Sequence, residues 1–273
     1  MLTLVKMMKK ENKSIGFVPT MGYLHEGHMS LVKVARKHTD VAVMSIFVNP
    51  TQFSPKEDFE KYPRDLRRDE ELAREAGVDV VFYPAAKDMY PEGYATYVTV
   101  DRLTTTLCGE SRPGHFKGVA TIVTKLFNIV KPDVAYFGQK DMQQALMIKK
   151  MAQDLNMDVD VKIMPIVREK DGLAMSSRNM YLSADQRKDA LVLYQSLKEA
   201  EDMIRQGERD AKKVARAVED MIKQKPAAKI DYVKVVDTKE LNDIKVISGE
   251  TLIALAVNFG NTRLIDNTLL TIK

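Results

Sequence analysis

Hydrophobic and polar positions change their spacing several times along the chain. Ser14-Ile-Gly-Phe-Val-Pro19 is a short apolar run closed by proline and then by Thr20-Met-Gly22, which reads as a strand followed by a turn. From Glu26 to about His38 the spacing of Leu31, Val32 and Ala35 is helical. Val41–Val48 is almost continuously apolar, as expected of a strand covered on both faces. A charged helix is predicted from about Asp65 to Ala76, and strand character returns from Val78 to Tyr83. Val119, Ile122, Val123, Leu126 and Val130 then recur at helical spacing. Val134–Phe137 is the next strand, followed by a helix over Met142–Leu155 and a strand over Val159–Val167. Strands that alternate with helices pair in parallel through right-handed crossovers. The first two-thirds should therefore be a doubly wound α/β sheet.

After Asn179 the pattern changes. Ser183 with Gln186 forms a capping box that should open one long helix reaching about Gln206. A second helix is expected from about Asp210 to Lys223, then strands at Tyr232–Val236 and Leu252–Val257. These elements predict a smaller α+β domain, with the boundary near residues 172–182.

Composition narrows the class. Hydrophobic residues make up 45% and charged residues 29% of the 273, enough for an ordinary core in a soluble protein. The formal net charge of +4 is small, and its densest basic stretch, Met8–Lys13, has no interleaved aromatics. Charge thus adds nothing to a nucleic-acid role, while it suits anionic substrates. Cys108 is the only cysteine, so neither an intrachain disulfide nor a cysteine-based zinc site can form. The N-terminus shows no signal peptide, and no apolar stretch reaches the ~20 residues of a membrane span. The expectation is a cytoplasmic protein with neither membrane nor nucleic acid as partner.

Three segments carry candidate chemistry. Thr20-Met-Gly-Tyr-Leu-His-Glu-Gly-His28 joins the first strand to the first helix after it, and holds two of the four histidines. Ligands of open α/β sheets bind beyond strand carboxyl ends, where helix N-termini favour anions, and imidazole N–H groups donate to phosphate. The competing reading is a capping pair or half of a zinc site. Gly138-Gln-Lys-Asp141 follows a central strand; Lys140 suits phosphate, and Asp141 either a ribose hydroxyl or the cap of the next helix. Met175-Ser-Ser-Arg178 offers hydroxyls and a guanidinium to a triphosphate, and Gly172 suggests that this loop is mobile, though Ser-Ser-Arg is also ordinary loop chemistry. Asn49, Gln52, Tyr62, Arg112, His115 and Gln144 are further polar candidates.

Taken together, the segments resemble the pantothenate synthetase family. The matching stretches are Gly16–Gly22, His25-Glu-Gly-His28, Phe47-Val-Asn-Pro-Thr-Gln-Phe53, Tyr62-Pro-Arg64, Arg112-Pro-Gly-His-Phe116, Tyr136–Asp141 with Gln143-Gln144, and Asp171–Asn179. They cover most of residues 14–182, and Thr262-Arg-Leu-Ile-Asp-Asn267 looks like the family's closing segment. His-x-Gly-His alone marks only the wider nucleotidyltransferase superfamily; the Asn-Pro-x-Gln-Phe and Arg-Pro-x-His-Phe segments narrow it.

The resemblance implies a Rossmann-like domain over residues 1–175 that binds ATP and pantoate, a C-terminal lid over 176–273, a homodimer, and Mg²⁺-dependent adenylation. It implies that Met21, Gly22, Tyr23, Leu24, His25, Glu26, Gly27 and His28 contact ATP, with Gly138, Gln139, Lys140, Asp141, Val167, Met175, Ser176, Ser177 and Arg178. His25, His28, Lys140 and Arg178 would be catalytic, His28 as proton donor. Gln52 and Gln144 would hold pantoate, and Gln52 would also face β-alanine. The metal ligands are not identified. Two departures stand out: Gln139 replaces a frequent Glu, and the segment before Ser14 is short, so the first helix should be truncated. The rival functions are an adenylyltransferase acting on another acceptor, which has no need of Gln52 and Gln144, and a non-catalytic nucleotide-binding module.

Overall fold

A computed structural model of the chain describes residues 1–55 and 57–272. The first part runs α1 (Leu2–Lys10), β1 (Ile15–Thr20), α2 (Glu26–His38), β2 (Val41–Ile46), α3 (Leu66–Glu75), β3 (Val80–Phe82) and α4 (Ala86–Met89). It continues with α5 (Cys108–Ser111), α6 (His115–Val130), β4 (Val134–Gly138), α7 (Met142–Asp154) and β5 (Asp160–Met164). The second part holds α8 (Ala184–Asp189), α9 (Val192–Arg205), α10 (Ala211–Lys223), β6 (Ala228–Asp237), β7 (Gly249–Phe259) and β8 (Thr262–Ile272).

Among the described residues the first sheet has the order β3-β2-β1-β4-β5, with every pairing parallel. Its inner strands β1, β2 and β4 are apolar on both faces because both are covered. Ile15, Phe17, Val41 and Val43 pack against α6 and α7, whereas Val18, Ala42, Met44 and Ile46 pack with Met29, Leu31, Val32 and Ala35 of α2. Strand order reverses between β1 and β4, which creates the crevice where open α/β sheets bind ligands. The expected doubly wound sheet is present.

The second sheet is antiparallel, β6-β7-β8, and its core includes Leu193, Leu197, Val214, Val218 and Phe259 from the strands and from α9 and α10. Leu173, from the connection between the two sheets, also packs in that core. Among the described residues no helix is long and apolar enough to cross a membrane.

Several expectations need correction. The capping box at Ser183 and Gln186 forms, but the long helix it opens breaks after Asp189. There Leu191 N–H reaches Lys188 O (3.3 Å) and Leu193 N–H reaches Ala190 O (3.2 Å). These three-residue bonds tighten the turn where Ala190, Val192 and Leu193 enter the core. β2 stops at Ile46 and β5 spans only Asp160–Met164. β8 has no counterpart among the strands expected from the pattern. The first helix, α1, sets Val5 in the sheet's core, and its Lys9 pairs with Asp133 at 2.6 Å.

Candidate active site

Beyond β1, Gly22 has φ +83 and Tyr23 φ +47, so the chain passes through two left-handed residues before α2. A non-glycine residue is strained there, and an added Cβ at Gly22 would lie 3.0 Å from Asp69 Oδ2. Asp69, on α3 and 1% exposed, fixes the turn by accepting from the backbone N–H groups of Tyr23 and Leu24, each at 2.7 Å. Arg68 adds a bond from Nη2 to Leu24 O (2.9 Å) and stacks over Tyr23 at 4.8 Å.

This turn delivers His25 and His28 to the start of α2 as a reciprocal cap. His25 Nδ1 accepts from Gly27 N–H (3.1 Å), and His28 Nδ1 accepts from His25 N–H (3.3 Å). Because each Nδ1 accepts, the proton of each neutral ring sits on Nε2. Burial, with Lys140 nearby, lowers the His25 pKa to about 4; burial and the neighbouring His25 hold His28 well below the ordinary range. Both rings are neutral donors at pH 7, so the positive charge of the site comes from other residues.

Lys140 lies on the 3₁₀ turn Gln139–Asp141, between β4 and α7. Its ammonium has no hydrogen bond or ion pair among the described residues, and it lines the same cavity as the histidines. Asp141 makes no side-chain cap on α7, which leaves its carboxylate at the cavity wall. The loop bearing Ser176–Arg178 follows a tight hairpin in which Arg168 and Ala174 pair. Gly172 there has φ +99 and abuts the Tyr194 ring, so glycine is required by the turn and by close packing. Ser177 donates to Tyr23 O (3.1 Å), tying the loop to the histidine turn. Arg178 pairs with Asp58 through Nε and Nη2, both at 2.9 Å.

Gln52 ends the 3₁₀ turn Pro50–Gln52 beyond β2. Its amide is oriented: Asn49 Nδ2 donates to Oε1 (3.2 Å), and Nε2 faces Met21 Sδ (2.9 Å), a weak acceptor. Asn49 is in turn held by Tyr90 OH (2.8 Å) and by Gly118 O (3.1 Å). His115 Nδ1 lies 2.8 Å from Gln52 O, and Arg112 bridges His115 Nε2 (3.0 Å) to Glu57 (2.5 Å). Burial, then Arg112, lowers His115 to about 4; burial raises Glu57, but Arg112 and the Ser54 backbone N–H together outweigh it and hold the carboxyl below its usual value.

One cavity of about 230 Å³ at the β1/β4 crevice gathers most of the sequence-derived candidates. Met21, His25, Gly27 and His28 form one side, with Gly138, Lys140 and Asp141 next to them. Val167, Met175, Ser176, Ser177 and Arg178 form another, and Gln52, Gln144, Asn49 and Tyr62 complete it. Gly22, Tyr23, Leu24, Glu26 and Gln139 do not line it: Leu24 is core, Glu26 pairs outward with Lys33, and Gln139 bonds Asn267. Sequence reading missed Asp69, Asp58 and Glu57, acids that hold the turn and two arginines. Nothing in a charged stretch marks which carboxylate turns inward; only their position near the motifs was a signal.

A family model described as pantoate-beta-alanine ligase matches residues 1–269. A pantothenate synthetase of Acetivibrio thermocellus is 60% identical over 264 residues, 97% of this chain and 94% of that protein. One from Pelotomaculum thermopropionicum is 60% identical over 266 residues, with 97% and 94% covered. The crystal structure of a pantothenate synthetase from Thermus thermophilus is 46% identical with a TM-score of 0.92, covering 97% of this chain and 96% of that one. A pantoate-beta-alanine ligase from Francisella tularensis, complexed with beta-gamma ATP and beta-alanine, is 34% identical with a TM-score of 0.78, covering 98% and 95%.

Proposed function

The chain belongs to the pantoate–β-alanine ligase family, and from that premise we infer how its cleft works. The reaction is the ATP-dependent condensation of pantoate with β-alanine to pantothenate, through a pantoyl-adenylate, with release of AMP and pyrophosphate. The observation that carries the residue-level reading is convergence: neutral imidazole donors, a lysine unpaired among the described residues and two primary amides share one cavity at the β1/β4 crevice.

ATP lies with its phosphates against the N-terminus of α2. His25 and His28 donate from Nε2–H, and Lys140 and Arg178 supply positive charge as the pantoate carboxylate attacks the α-phosphate and pyrophosphate leaves. His28 thus serves as a hydrogen-bond donor in the neutral state. Arg178 shares its guanidinium between Asp58 and the phosphates. Gln52 presents the Nε2 donor not directed at Met21, and Gln144 its amide, to the pantoate oxygens, while Val119, Ile122 and Val123 face the branched carbon frame. The β-alanine amine, beside Gln52, then attacks the mixed anhydride and displaces AMP.

Magnesium fits this donor set as a companion of the nucleotide. Among the described residues no group of three or more His, Cys, Asp or Glu could cage a metal, and Mg²⁺ commonly binds through one or two carboxylates plus substrate phosphates. Asp141, at the cavity wall, is the carboxylate that would hold it, and the ion would neutralise phosphate charge. Residues 1–175 serve as the nucleotide and pantoate unit and 176–273 as the covering unit. Homodimerisation is carried by the family resemblance, and use of ATP argues for the cytoplasm.

The test is AMP release as a function of added acids and amines. AMP should form steadily only when pantoate and β-alanine are both present. Pyrophosphate released in turnover with a different acceptor, the adenylyl group staying on that acceptor and no AMP being freed, would favour the adenylyltransferase alternative.

A further inference from the structure

The C-terminal sheet reaches the catalytic turn through one side chain. Asn267 on β8, 3% exposed, donates from Nδ2 to the carbonyls of Gln139 (2.9 Å) and Lys140 (3.0 Å). Its Oδ1 accepts from Gln139 Nε2 at 3.2 Å. Its own backbone N–H is held by Asp266 (2.8 Å), whose buried carboxylate carries Arg168 through two bonds of 2.6 and 3.0 Å. Arg168 also donates to Gly172 O (3.0 Å), within the hairpin that leads to Ser176 and Arg178.

A primary amide meets this demand because it offers two donors and an acceptor on one short stem. A carboxylate in its place would face two carbonyl oxygens, and an alkyl group would leave the Gln139 donor unpaired. The contrast with Lys140 is informative. Among the described residues its ammonium has no partner, so its aim is set by the backbone of a three-residue turn, and Asn267 grips that backbone at two successive carbonyls.

We propose that Asn267 is a positioning residue that aims Lys140 into the nucleotide site, with Gln139 as its matched partner. The C-terminal unit then contributes to the adenylation step itself, beyond covering the cleft. Gln139 faces Asn267 because it belongs to the clamp. This inference rests on the reading above that Lys140 faces the phosphates.

The experiment is single-turnover pantoyl-adenylate formation from ATP, magnesium and pantoate, in the full chain. Four proteins are compared: wild type, Asn267→Ala, Lys140→Ala and the double variant. Displacing a catalytic group by an ångström or less is expected to slow adenylation about ten- to a hundredfold in Asn267→Ala. In the Lys140→Ala background the same change should cost less than about threefold, because the residue acts through Lys140. A purely structural role would give equal losses in both backgrounds, and that result overturns the proposal, as does a wild-type rate for Asn267→Ala. Lys140→Ala at the wild-type rate would overturn the site reading and the clamp together, which separates the two failures. If Asn267→Ala does not fold, Gln139→Met removes only the donor to Oδ1. It should slow adenylation about three- to tenfold and lose that effect in the Lys140→Ala background; an unchanged rate overturns the proposal.

Discussion

Asp69→Asn isolates the device that holds the histidine turn in shape. The substitution keeps the size of the side chain but turns one of its two acceptor oxygens into an N–H donor. Tyr23 and Leu24 both donate to that carboxylate at 2.7 Å, so one backbone N–H then meets another donor in a site 1% exposed. Losing a charge-assisted bond and leaving a buried donor unmatched costs about 2 kcal/mol. The turn must open by that amount or rearrange, because Gly22 and Tyr23 are already in left-handed conformations at φ +83 and +47. About 2 kcal/mol withdrawn from the active geometry corresponds to about thirtyfold in rate. Rapid-quench measurement of pantoyl-adenylate formation should show this fall, with the thermal midpoint lowered by only a few degrees. An adenylation rate within about twofold of wild type would refute the reasoning, since the turn would then hold its shape without Asp69.

Gln144→Ala and Gln52→Ala should each weaken pantoate use by about 1.5–3 kcal/mol, read as a rise in the pantoate KM or a fall in kcat/KM, with ATP affinity nearly unchanged. Loss of ATP binding at constant pantoate dependence would move both amides into the nucleotide site. Acid sensitivity follows from the histidines: His25 and His115 titrate near 4 when folded, and burial also holds His28 well below the ordinary value of about 6.5. The unfolded chain therefore binds more protons between about pH 4 and 6.5, so this contribution to stability is lost as pH falls through that window and is flat above it. Denaturant midpoints at about pH 5.5 should lie below those at about pH 7.5; equal or higher midpoints at the lower pH would contradict neutral histidines.

The parallel sheet was legible because its inner strands are buried on both faces, so Val41–Ile46 and Val134–Phe137 stand out as apolar runs between helical spacings. The His25–His28 and Lys140 turns were legible for a related reason: each follows directly from such a run, where α/β sheets bind ligands. β8 was hidden because Asp266, Asn267 and Thr268 occupy buried positions in it, and these polar residues break the alternation that marks a strand. They are buried because they bond Arg168, the Lys140 turn and Glu201 across element boundaries. The break between α8 and α9 falls among good helix formers and depends on how Ala190 packs, which no local pattern reveals. Asp69 lies in Arg67-Arg68-Asp69-Glu70-Glu71, where only the orientation of α3 selects the acid that turns inward.

The central claim is that the pantoate carboxylate attacks the α-phosphate in this cavity and the amine then attacks the carbonyl carbon. Pantoate labelled with oxygen-18 in both carboxylate oxygens tests it most directly, with ATP, magnesium and β-alanine supplied to the full chain. The carbon–oxygen bond broken in the second step leaves a pantoate oxygen on phosphorus. AMP should therefore carry one labelled oxygen per turnover, and the pantothenate amide should retain the other. AMP free of label while pantothenate is made would contradict the account.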